Sequence, residues 1–121
     1  VWGISEYQHV ITAYSIKTIP YDSTSFHLKS WIIEGTNAES FSPEEVQNDD
    51  PNIIWTPIDI RENDQHLKST SAIASFSVPP QYEKQYYRYI RLRMIGSNHH
   101  SSKVLALSGF ELFGKLRIVN Q

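Results

Sequence analysis

The 121-residue chain contains no cysteine. That excludes disulfide clamps and every zinc site built on thiolates, and it leaves a hydrophobic core to hold the fold together. The chain also lacks an Asn-x-Ser/Thr sequon. No apolar run approaches the roughly 20 residues that a membrane-spanning helix needs, and no signal-peptide pattern opens the chain. Eleven basic residues face thirteen acidic ones, for a net charge of −2. No broad basic field is therefore available to hold a phosphate backbone, and nucleic-acid binding is disfavoured. There is no Gly-x-Ser-x-Gly elbow, no glycine-rich phosphate loop and no sustained helical period. A nucleophile needs an activating base held by a third group, and no such constellation stands out, so we expect no enzyme.

An apolar content of 40% with 12% aromatics places the chain among globular rather than disordered sequences. Its length suits one domain, residues 1–121, that buries roughly two-thirds of its unfolded surface. Because it begins at Val1 rather than a methionine, we expect a domain cut from a larger protein.

The stretch from Tyr86 to Gly114 organises the rest. Ile90, Leu92 and Met94 alternate with Tyr89, Arg91 and Arg93, as in a strand with one face in a core and the other polar. Phe110 and Leu112 alternate with Glu111 and Phe113. A polar loop beginning at Gly96 separates the two runs and predicts paired strands with a long connection. Upstream, Val10 to Ile19, Leu28 to Gly35, Ile53 to Ile60 and Ser71 to Val78 read as strands, rich in β-branched residues and stopped by turn formers. Val10, Tyr14 and Ile16 share one face in this reading and Ile11 lies on the other. Trp31, Trp55 and Phe110 are expected in the core. The segment from Ala38 to Asn52 reads as a surface insertion, with a helical turn started by Ser42-Pro43-Glu44-Glu45. Strands punctuated by turns predict an all-β fold, an antiparallel β-sandwich.

Several stretches resemble the discoidin domain, the coagulation-factor type C module. They are Tyr87-Arg88-Tyr89-Ile90-Arg91-Leu92-Arg93, Ala106-Leu107-Ser108-Gly109-Phe110-Glu111-Leu112-Phe113-Gly114, Trp31-Ile32-Ile33-Glu34-Gly35-Thr36-Asn37 and Trp55-Thr56-Pro57-Ile58-Asp59. They run in the family's order from about Val10 to Leu116. The resemblance implies a discoidin-type jelly roll, with the N-terminal strand region shortened. Gly96 and Asn98-His99 before the last strand look most like the cytoplasmic members, which accompany BTB, kelch or ubiquitin-ligase domains. The missing cysteines and sequons point the same way.

If consecutive strands run oppositely, alternate loops share one end of the sandwich. Pro20 to His27, Arg61 to Thr70 and Gly96 to Lys103 then meet. They gather His27, Asn63, His66, Asn98, His99 and His100, with Arg93 near by. The resemblance implies ligand recognition by loops at one end, and the residues carry the chemistry for it. Asn both donates and accepts, His does either, and Arg offers a planar fork. We expect His27, Asn63, His66, Arg93, Asn98 and His99 to bind a protein or peptide partner in a cytoplasmic, ubiquitin-ligase-type setting, with affinity changing between about pH 5 and pH 8. The alternative is a glycan-binding, lectin-like module, in which tyrosines such as Tyr86, Tyr87 or Tyr89 would stack on a sugar. Membrane binding is disfavoured, since only Tyr21 and Phe26 resemble an inserting loop tip. No cofactor is expected. Glu39, Asp49, Asp50 and Glu111 could serve a structural calcium ion, but their spacing is not diagnostic.

Overall fold

Pleated surfaces favour β-branched and aromatic residues, and among the described residues this chain places them in seven strands. The computed structural model describes residues 2–3, 7–19, 27–37, 53–68, 72–79, 86–99 and 107–118. The strands are β1 (Trp2–Gly3), β2 (Tyr7–Lys17), β3 (Trp31–Thr36), β4 (Thr56–Arg61), β5 (Ile73–Ser77), β6 (Tyr89–Met94) and β7 (Gly109–Ile118). One sheet has the order β1-β6-β3-β4 and the other β5-β2-β7, and every neighbouring pair is antiparallel. The result is the expected all-β sandwich. The proposed insertion at residues 38–52 lies outside the described residues. The chain's first strand, open in the sequence, is β1, which pairs Trp2 with Ile90 and so borders β6.

The expected pairing of β6 with β7 does not occur. β6 lies between β1 and β3, and β7 lies beside β2 in the opposite sheet. Each strand has one apolar face, and either placement satisfies that pattern locally. Facing each other across the sandwich, Ile90 and Leu92 join the same core that Phe110 and Leu112 pack against. Their connection is too long to force a hairpin.

Two bulges set which side chains face inward. In β2 the register shifts between Ile11 and Ala13, so Thr12 is the extra residue, and its hydroxyl donates to the Phe113 carbonyl at 3.2 Å. The shift reverses the strand's alternation. Ile11, and not Val10, therefore joins Tyr14 and Ile16 in the core cluster. Gly114 lies opposite Ile11, where a Cβ would stand 1.7 Å from the Val10 carbonyl oxygen. Only glycine lets the two backbones approach this closely.

The second shift, between β3 and β4, pairs Ile33 with Asp59 and Glu34 with Pro57. Ile58 is the extra residue, and Ile58 and Asp59 are consecutively buried. Asp59 accepts from the Tyr14 hydroxyl at 2.5 Å and from Arg61 Nε at 2.9 Å. The same hydroxyl accepts from Trp31 Nε1 at 2.9 Å. Tyr14 belongs to one sheet and Trp31, Asp59 and Arg61 to the other, so the network spans the sandwich. Arg61 also donates to the Ser77 carbonyl at 3.2 Å and lies 5.0 Å over the Phe76 ring. Phe76 stacks on Tyr14 and meets Trp31 edge-on, both at 5.2 Å between centroids.

The stretch from Glu34 to Asn37 has one role per residue. Glu34 is buried and accepts from Arg91 Nε at 2.8 Å and from Arg93 at 2.8 Å. Gly35 lies under the Tyr87 ring, where a Cβ would fall 2.4 Å from the nearest ring carbon. The Thr36 carbonyl accepts from Arg88 N. The Asn37 side chain joins Gln8, Arg88 N and the Tyr86 carbonyl at the end of the sandwich where β3 finishes.

Trp31 is fully buried, as expected. Trp55 is not in the core. It is half-buried with its ring 4.1 Å from the Arg91 guanidinium. The strand pattern ran through Trp55, but β4 begins only at Thr56, so the indole is free to cover the arginine.

Replacing Trp31 by Ala should cost about 3–5 kcal/mol. Trp55→Ala should cost about 1–2 kcal/mol, the range of a partly desolvated cation–π contact. Urea denaturation of both variants checks the difference. Burial, with the Asp59 carboxylate next, raises the Tyr14 phenol above its ordinary pKa of 10.0. The folded state therefore holds its proton where the unfolded chain releases it. That contribution is complete below pH 10.0 and is lost as pH rises above it. Tyr14→Phe should reduce stability by about 2 kcal/mol at neutral pH and flatten the alkaline decline.

Candidate functional site

Three connections meet at the end of the sandwich where β3 begins and β4 and β6 finish. Their contacts are mainly backbone. The His27 carbonyl accepts from His99 N at 3.1 Å, the Lys29 carbonyl from Asp64 N at 2.9 Å, and the Ser30 carbonyl from Ile95 N at 3.1 Å. The Ser30 hydroxyl accepts from Asn63 N at 3.0 Å. Gly96 packs on Ser30, where a Cβ would come to 3.2 Å of the serine Cβ. Ser30 is thus the hub between the turn after β4 and the turn after β6. Leu28 and Leu67, both fully buried, plug the sandwich beneath. Polar loops stitched together on such a floor are held in place by the scaffold beneath as well as by these contacts.

The turn after β4 has its own geometry. Asn63 has a φ of 52°, a left-handed conformation that asparagine tolerates better than most residues. The Asp64 carboxylate accepts from His66 N at 2.8 Å and lies 2.9 Å from His66 Nδ1. A side chain closing its own turn in this way is an Asx-type arrangement. The His66 side chain remains 70% exposed.

The structure brings His27, Asn63, His66, Asn98 and His99 to one end, with Arg93 one turn of the pleat below. They do not play equal parts. His27 and Asn98 are each 1% exposed, so they support the loops rather than present themselves to a ligand. Among the described residues neither ring nitrogen of His27 has a hydrogen-bond partner; its contribution to the stitching is its backbone carbonyl. Asn63 and His66 are exposed and His99 is half-buried. Arg93, half exposed, donates to Glu34 at 2.8 Å. It borders a shallow cavity of about 340 Å³, lined among the described residues by Arg93, Met94, Ile95 and Gly96. His100, Tyr21 and Phe26 lie outside the described residues.

His99 titrates below its ordinary value. Burial is the main cause, and the charges of Lys29 and Lys68 add to it. Sequence reasoning passed over both lysines, and over Ser30 and Asp64. The lysines carried no pattern, and the other two matter through backbone partners that only the fold brings near. Among the described residues no group of three or more histidine, aspartate or glutamate side chains converges to hold a metal ion. Of the calcium candidates, Glu39, Asp49 and Asp50 lie outside the described residues, and Glu111 is exposed on β7 opposite Ser15. Tyr87, a possible sugar platform in the sequence, is buried against Gly35. Among the described residues no helix is long and apolar enough to cross a membrane. Compared with models of known protein families, the chain matches none.

A depressed His99 stays neutral in the fold while the unfolded chain takes up a proton near 6.5. Its contribution to stability is therefore complete above that pH and is lost as pH falls below it. His9, also depressed by burial, adds to the same slope from the opposite end. His99→Gln should make the loss of stability between about pH 7 and pH 5 shallower. Denaturation midpoints of wild type and variant across that range check it.

Proposed function

We propose that this chain is a non-catalytic binding module of the discoidin type, a jelly roll whose loop end recognises a protein or peptide segment. It would serve as one domain of a larger cytoplasmic protein, in a setting such as a ubiquitin ligase. The observation that carries this reading is the convergence of three connections, distant in sequence, on one end stitched by main-chain hydrogen bonds. The ordered motifs at Trp31 to Asn37 and Tyr87 to Arg93 support the family reading.

The chemistry favours a carboxylate-bearing peptide. Lys29 and Lys68 lie close enough to His99 to depress its pKa, and the nearby Asp64 carboxylate is committed to His66. Exposed Asn63 and His66 add hydrogen-bonding groups. No exposed tyrosine, tryptophan or phenylalanine ring stands at this end among the described residues, which weighs against a sugar platform.

The test is a peptide array beside a glycan array. It compares wild type with a loop-end variant, His66→Ala with Lys68→Glu, and a far-end variant, Ile54→Ser. Wild type should select acidic peptides. The loop-end variant should weaken that binding by about tenfold or more, and the far-end variant should leave it unchanged. Selection of glycans, or loss confined to Ile54→Ser, would overturn the reading.

A further inference from the structure

We propose that β7 is a pairing strand for a second copy of this chain. Two β7 strands meet antiparallel about a twofold axis at Phe113, setting Glu111 of each copy opposite Lys115 of the other.

β7 is 10 residues long. It lies at the margin of its sheet and pairs, among the described residues, with β2 alone. A long margin of this kind is a template for another strand unless charge or shape blocks it. Phe113 is 45% and Leu116 62% exposed on it. A groove of about 320 Å³ runs alongside, bordered by Val10, Leu112 and Leu116. The Phe113 carbonyl accepts from Thr12 of β2 and so points toward its own sheet. Backbone groups of successive strand residues point to alternate sides, so those of Phe110, Leu112, Gly114 and Leu116 point to the margin.

Symmetry then limits the registers. Pairs along an antiparallel ladder alternate between hydrogen-bonded and non-hydrogen-bonded, so a strand paired with its own copy must place the axis on a residue. An axis at Lys115 would set two lysines face to face. An axis at Leu112 would oppose Glu111 to Phe113, and one at Gly114 would oppose Phe113 to Lys115. An axis at Phe113 opposes the two phenylalanines and places Glu111 against Lys115 twice. Glu111, Phe113 and Lys115 share one face, and all three are exposed. Phe113 also falls in a non-hydrogen-bonded pair, where opposing side chains come closest. The charges that would repel a foreign strand are thus self-complementary, which selects a second copy as the partner.

Sedimentation equilibrium on Glu111→Lys and Lys115→Glu tests this. Wild type should self-associate as concentration rises from micromolar to millimolar. Each single variant faces like charge across the axis and should dissociate with a Kd on the order of tenfold weaker or more. An equimolar mixture of the two variants restores opposite charges in every pair and should associate as wild type does. The double variant carrying both changes should do the same. A wild type that stays monomeric overturns the proposal. So do single variants that associate as wild type does, or a mixture that does not recover. Amide exchange of wild type is the second measurement and does not depend on any variant folding. Protection at residues 110, 112, 114 and 116 should grow with protein concentration. Protection independent of concentration would mean that the chain itself covers the margin, and would also overturn the proposal.

Discussion

A buried carboxylate must be satisfied or neutralised, and Asp59 is satisfied by groups from both sheets. The Tyr14 hydroxyl reaches it across the core, Arg61 reaches it along β4, and Trp31 completes the hydroxyl's own bonding. Much else follows from this requirement. The bulge at Ile58 is what turns Asp59 inward without sacrificing the apolar residue before it. Arg61 is held where its guanidinium covers Phe76. Trp31 opens β3 and Arg61 closes β4, and the two are directly paired. The network therefore lies immediately beneath the connections that carry Ser30 and Asn63. A buried polar network of this kind loses much if one member is removed, because the remaining groups are left without solvent or partner. It fixes how the sheets stack and, through Trp31 and Arg61, where the loop end stands.

The elements were largely legible in the sequence because their signal is local. Alternation at Ile90, Leu92 and Met94 needs no knowledge of the partner strand, and neither does the burial of Trp31. Loop parity held for the same reason: antiparallel strands in succession alternate ends whichever sheet they join. What could not be read was non-local. The two bulges reverse alternation at Thr12 and Ile58, and nothing in the surrounding residues marks them except Gly114, whose reason appears only when Ile11 is opposite and the Val10 carbonyl comes close. The separation of β6 and β7 into different sheets depends on which apolar faces oppose across the core. Leu67 stands alone in a polar loop, without the period that would mark it as a core residue. Trp55 lay inside a strand-like run in the sequence, but β4 begins one residue after it, so no strand carries it inward.

The loop end was legible as a neighbourhood more than as a set of contacts. His27 and Asn98 belong to it, yet they are buried and act as supports. Ser30 is its hub and had no distinguishing pattern. The surfaces available to a partner are Asn63, His66 and the lysines near His99. They lie at the opposite end of the domain from the Asn37 clamp, and β7 runs between the two ends. Pairing along β7 would leave the loop end open, so partner recognition and self-association can coexist.

The account depends most on the coupling between Tyr14 and Asp59, because that bond joins the sheets and sets the base of the loops. A double-mutant cycle with Tyr14→Phe and Asp59→Ala, read by urea denaturation at neutral pH, measures it directly. A charge-assisted hydrogen bond buried between the sheets predicts a coupling of about 1.5–3 kcal/mol. Additive losses, with a coupling below about 0.3 kcal/mol, would contradict the account and show that packing alone holds the two sheets in register.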